Sequence, residues 1–127
     1  MDLRLALLEG RLAVCRLPPG SPPPTWAANS PGLCSWTRTR DEWSVVCAEG
    51  EVPEGVRAET GWRVFRVEGP LDFGLTGVLL SMAKPLAEAG VAIFALSTYD
   101  TDYVLVKEEK LAAAIGALEA AGHRLSR

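Results

Sequence analysis

Two stretches in the C-terminal half of this chain close on nearly the same five residues, "LAEAG" at 86–90 and "LEAAG" at 118–122, and a strand-like run follows each. No other feature constrains the fold as much. A glycine just past the last periodic position ends a helix because it takes the left-handed conformation without steric penalty. Ahead of the first closure, "LTGVLLSMAKPLAEAG" places Val78, Met82 and Leu86 at helical spacing, and "WRVFRVEG" before it alternates as a strand with Val64 and Val67 on opposite faces. After it come the strands "VAIFALS" and "DYVLV", a helix over "KEEKLAAAIGALEAAG" with Leu111, Ile115 and Leu118 inward, and a short last strand in "HRLSR". The order β-α-β-β-α-β over residues 62–127 predicts an α+β, ferredoxin-like sandwich, a four-stranded antiparallel sheet with both helices on one face.

Two details strain that pattern. Pro85 lies inside the first helix, where it removes one backbone hydrogen bond and crowds the carbonyl of Ser81, so a kink or a broken turn is expected, its cost met by packing. "VAIFAL" is apolar on both strand faces, whereas the helices of such a sandwich cover only one. The N-terminal half or a second copy of the chain must cover the other, which predicts a homodimer.

Residues 1–61 read as a β-rich half. "LRLALL" and "RLAVCRL" flank Glu9-Gly10 and suggest a hairpin. "PPGSPPPTWAANSPG" predicts a loop with one short helical turn near Trp26, because proline lacks the backbone donor. "SWTRT" and "WSVVC", joined through Arg40-Asp41-Glu42, form a second hairpin, and 48–61 is a Gly/Pro/Glu-rich connector.

Charge and cysteine usage exclude several classes of function. The net charge of -3 lacks the basic footprint of a protein that grips nucleic acid or an anionic membrane. Cys15, Cys34 and Cys47 are odd in number and far apart, without the close pairing that zinc or dithiol chemistry needs. Reduced thiols in a cytoplasmic protein are expected. The start, "MDLRLALLEG", is too short and too charged for a signal peptide, and no apolar run approaches the roughly 20 residues that span a bilayer. His123, the one histidine, has no acid partner in sequence and reads as a surface residue, so no catalytic residue, metal site or cofactor is assigned.

Chemistry concentrates in "PLDFGLTG" (70–77) and "STYDTDY" (97–103). In the predicted topology the first leads into helix one, while the second returns the chain to the same end, so the two segments meet. Gly74 and Gly77 leave backbone N–H groups accessible at a helix start, where the macrodipole favours an anion such as a carboxylate. Asp72, Asp100 and Asp102 can hold a cation, and a positive pole beside carboxylates matches a zwitterion such as a free amino acid. The plainer alternative has Thr76 capping the helix and Asp100 shaping a turn. No Lys or Arg adjoins the glycine-rich turn, so it is not a Walker-type phosphate loop.

At these residues the chain resembles stand-alone ACT-domain proteins of the CASTOR-like ACT group, related to the regulatory domains of aspartate kinases and to eukaryotic cytosolic arginine sensors. The resemblance rests on "LTGVLLSMAKPLAEAGVAIFALSTYDTDYVLVKEEKLAAAIGALEAAG", with a second likeness in "EWSVVCAEG". It implies an ACT domain over 62–127, a shortened ACT-like half over 1–61, and a non-catalytic module that binds an amino acid at an interface between two such domains. Carried over position by position, it points to Asp72, Phe73, Gly74, Leu75, Thr76, Gly77 and Val78 at the helix start and to Ser97, Thr98, Tyr99 and Asp102 opposite. The acidic excess in both segments favours a cationic amino acid such as arginine or lysine. An unidentified protein partner would receive the signal. Two alternatives stand: a structural dimerisation module without ligand, and a small enzyme on the same scaffold.

Overall fold

The computed structural model describes residues 1–72 and 74–126. These form two compact units, one of residues 1–9 with 63–127 and the other of residues 10–62.

The first unit carries both helices. Its strands are β1 (Arg4–Leu7), the C-terminal part of β5 (Arg57–Val67), β6 (Ile93–Ser97), β7 (Asp102–Lys107) and β8 (Arg124–Ser126), in the order β6-β7-β5-β1-β8. The helices are α1 (Val78–Glu88) and α2 (Leu111–Ala120). The β-α-β-β-α-β order is therefore present, and the fold is the α+β ferredoxin-like sandwich, with one addition. The N-terminal β1 lies between the first and last strands of the motif, antiparallel to β5 and parallel to β8, so the sheet has five strands where four were expected. Leu5, Phe65, Val67, Val104 and Val106 from the sheet, with Leu3 just ahead of β1, meet Val78, Met82, Leu86, Ala114 and Leu118 from the helices in one core. Complete burial of a side chain such as Phe65, Met82 or Leu118 stabilises the fold by about 1.5–3 kcal/mol each.

The repeated pentads are two copies of one helix ending. Gly90 takes φ +74° and Gly122 φ +97°. In the first copy Gly90 N–H donates to the Ala87 carbonyl and Val91 N–H to the Leu86 carbonyl, at 3.0 and 2.9 Å; in the second Gly122 and His123 donate to Glu119 and Leu118, at 3.0 and 3.1 Å. This paired bonding satisfies the last carbonyls of each helix.

Helix α1 runs through Pro85 without interruption, so the broken turn is not found. The Ser81 carbonyl, which a residue other than proline would have bonded, lies 2.8 Å from His123 Nε2. A side chain as well as packing thus compensates the proline. His123 is 4% exposed, which overturns its reading as a surface histidine. Sequence distance hid its partners, Ser81 and Leu3.

In the second unit, β2 (Leu12–Leu17), β3 (Ser35–Arg38) and β4 (Trp43–Ala48) join the N-terminal part of β5 in the order β3-β4-β2-β5. The β3–β4 hairpin and a 3₁₀ turn at Thr25–Ala27 match expectation. The hairpin at Glu9-Gly10 does not form: β1 pairs with residues 65–67 of β5 and β2 with residues 57–62. Leu8 N–H donates to the Val64 carbonyl, so β5 has already engaged the chain before it turns at Gly10, where φ is +89°. The supposed connector likewise contains the start of β5 at Arg57. Its polar residues obscured the strand, since among 57–60 only Ala58 packs on the core formed by Ala13, Cys15, Ala27, Val45 and Cys47.

Candidate functional site

The segment from the end of β5 to α1 and the turn between β6 and β7 meet at one end of the first unit. Leu71 N–H donates to the Asp100 carbonyl at 2.7 Å, which joins them directly. Thr101 fixes the turn from below: it is 8% exposed, and its hydroxyl donates to the Val67 carbonyl at 2.6 Å. Thr98 N–H closes the turn onto the Thr101 carbonyl at 2.8 Å. Gly69 permits the approach, because a Cβ there would lie 3.0 Å from Leu71 N and 3.3 Å from the Asp100 carbonyl.

Between the segments lies an open cleft of about 190 Å³ lined by Leu71, Asp72, Leu75, Val78, Ser97, Thr98, Tyr99, Asp100, Thr101 and Asp102. Seven of the eleven residues singled out from sequence are in that lining. Gly74, Thr76 and Gly77 are not, and Phe73 lies outside the described residues. Gly74 N–H is already engaged by the Asp72 carboxylate at 2.8 Å. Gly77 takes φ +81° at the position before α1, and no side chain caps that helix start. Thr76 is therefore not the cap, and the first amides of α1 lack a side-chain acceptor.

Three aspartates and no lysine or arginine line the cleft among the described residues. Asp102 is half-buried and accepts the Ser97 hydroxyl at 2.6 Å, which fixes the orientation of its carboxylate. The lining thus sets two hydrogen-bonded carboxylates, Asp72 on Gly74 N–H and Asp102 on the Ser97 hydroxyl, beside Val78, the first residue of α1. On the far side of the same turn, Arg66, Glu68, Gly69, Pro70 and Tyr103 contribute to a wider hollow of about 540 Å³. Sequence reasoning overlooked Gly69, Leu71 and Thr101; the Gly-Pro pair at a strand end was the available signal for the first.

The cysteines are not far apart in space. Cys15 and Cys47 share the core of the second unit, and Cys34 packs against it while its thiol meets the Ala27 carbonyl. Burial pushes the Cys47 thiol up to about 12, with the neighbouring Cys15 adding to the effect, and burial also raises Cys15. Both are held as unreactive thiols. Among the described residues no cluster of three His, Cys, Asp or Glu side chains could hold a metal ion, and no helix is long and apolar enough to cross a membrane.

A family model of the ACT domain matches residues 57–120, half of the chain. The chain belongs to the ACT-domain family. A second family model, of an N-terminal domain, matches residues 10–55. The chain is 39% identical over 66 residues to subunit 1 of the cytosolic arginine sensor for mTORC1 of Bos taurus, a match covering 48% of this chain and 20% of the relative. This ACT protein thus spans about a fifth of the length of the curated relatives it matches. A solved protein of Agrobacterium tumefaciens is 38% identical with a TM-score of 0.92, covering 99% of this chain and 93% of the other. The regulatory subunit of aspartate kinase from Thermus thermophilus shares the fold at 14% identity, with a TM-score of 0.60 and coverage of 92% and 96%.

Proposed function

We propose that this ACT protein is a non-catalytic regulatory module that binds a free amino acid in the cleft between residues 70–78 and 97–102. One observation supports this reading above others: the Leu71–Asp100 bond brings an uncapped helix start against three carboxylates. The ligand's α-carboxylate takes the first amides of α1, and its ammonium or cationic side chain takes Asp102, with Asp72 nearby. Arginine or lysine is the favoured ligand, on the acidic lining and on the name of the cytosolic arginine sensor.

The cleft is smaller and more open than the roughly 300–1,000 Å³ usual for small-molecule sites, so a second copy completes it. Leu75, Leu79, Leu80 and Tyr99 are exposed beside it and supply the apolar rim of that homodimer. Occupancy then shifts the interface and is read by a protein partner in the cytoplasm. The part of residues 1–61 that follows β1 acts as a shortened ACT-like half, a reading supported by the fold that nearly the whole chain shares with an aspartate kinase regulatory subunit.

A thermal-shift screen with the twenty amino acids tests the proposal. Ligand at about 100 times its Kd adds roughly 2.7 kcal/mol, or on the order of 10 °C for a chain of this size. Selective stabilisation by arginine or lysine is the expected result; no shift with any amino acid at millimolar concentration would refute sensing.

A further inference from the structure

The two helix endings differ at one position that matters. In the first, the residue after the capping glycine is Val91, buried and apolar as that position usually is; in the second it is His123, buried to the same degree. Its ring is bonded at both nitrogens. Nδ1 accepts the Leu3 N–H at 3.0 Å, and Nε2 lies 2.8 Å from the Ser81 carbonyl. A backbone N–H can only donate and a carbonyl can only accept, so the partners fix the neutral tautomer with its proton on Nε2.

We propose that His123 is a pH-sensitive strut that replaces the backbone amide missing at Pro85 and holds the first turn of α1 to the N-terminal strand. Ser81 is where that turn is tied together: its N–H donates to the Gly77 carbonyl at 2.9 Å and its hydroxyl to the Val78 carbonyl at 2.7 Å. Val78 also lines the cleft, so the strut positions one wall of the candidate site. That last consequence rests on the amino-acid reading above; the strut itself does not.

The switch follows from donor and acceptor roles. A second proton on the ring would occupy Nδ1 and face the Leu3 N–H donor to donor, breaking the link to the strand. The strut therefore holds while the ring is neutral and is released when the ring takes a second proton. The Met1 amino group, Lys84 and Glu88 line the hollow that His123 borders, with Lys84 and Glu88 paired at 3.1 Å. The Asp2 carboxylate lies against Gly122, while Glu119 of α2 and Arg124 of β8 are exposed.

Nuclear magnetic resonance on the ligand-free protein is the first test. Long-range proton–nitrogen correlations should show the Nε2–H tautomer of His123 in the folded protein, and the amides of Val78, Leu79 and Leu80 should shift in step with the ring's second protonation during an acid titration. In His123→Gln the side-chain amide still reaches for Ser81 but gains no proton, so those amides should stay in place. An Nδ1–H tautomer, static amides in the native protein, or the same shifts in His123→Gln would each overturn the proposal.

A double-mutant cycle tests the substitution for the missing amide. His123→Phe should lower the folding equilibrium constant about tenfold or more in the native background and by less when combined with Pro85→Ala, where the restored amide bonds the Ser81 carbonyl and only the Leu3 N–H is left unpaired. Equal losses in both backgrounds would overturn it. A chain that binds no amino acid but passes these tests would refute the proposed function alone.

Discussion

At the scale of single residues, Thr101 anchors the turn and Asp102 faces the cleft. Thr101→Val keeps the shape and removes the donor to the Val67 carbonyl. It should destabilise the fold by about 1–3 kcal/mol in urea titrations, because a buried acceptor is left unmade. Asp102→Asn keeps an oxygen for the Ser97 hydroxyl and removes the charge, so stability should change by less than about 0.5 kcal/mol while affinity for a cationic amino acid falls about tenfold or more in calorimetric titration. Cys47 links stability to alkaline pH. Its folded thiol is raised to about 12, above its ordinary value of 9.0, so the neutral form is the one the fold accommodates. Its contribution is complete below pH 9 and is lost as pH rises through 9 towards 12. Denaturation midpoints measured across that range should fall for the native chain and fall less for Cys47→Ala.

At the scale of elements, the approach of two loops makes the cleft. Gly69→Ala would drive a methyl against backbone at Leu71 and Asp100, so we expect a loss of about 1–3 kcal/mol by chemical denaturation and a weakened cleft. A strand-like run was legible at each of the eight described strands, and the helices and their endings were legible because Val78, Met82 and Leu86 recur at helical spacing and both pentads end in glycine. The place of β1 was not legible. "LRLALL" is equally apolar whether it pairs with its neighbour in sequence or with β5, and only long-range packing of Leu3 and Leu5 decides. Arg57 to Thr60 carry too little apolar pattern to announce a strand. The Asp72 and Asp102 side of the cleft could be read from residue types in facing segments, whereas Thr101 could not, since its role depends on a carbonyl 34 positions away. His123 was misread for the same reason, its partners being 42 and 120 positions distant.

At the scale of the whole molecule, the proposal joins ligand binding to self-association. Leu80 is 65% exposed on α1, and Leu79 and Leu75 are exposed beside it. Sedimentation velocity should show a dimer, and Leu80→Glu should shift it to monomer and weaken amino-acid binding in parallel, because charge on an apolar rim opposes its burial. The central claim is that the amino acid sits between the helix start and the β6–β7 turn. Its most direct test is a map of proton–nitrogen amide shifts during titration with arginine and lysine: shifts concentrated at Gly74–Leu80 and Ser97–Asp102 are predicted, and saturable shifts elsewhere, or none at millimolar ligand, would contradict it.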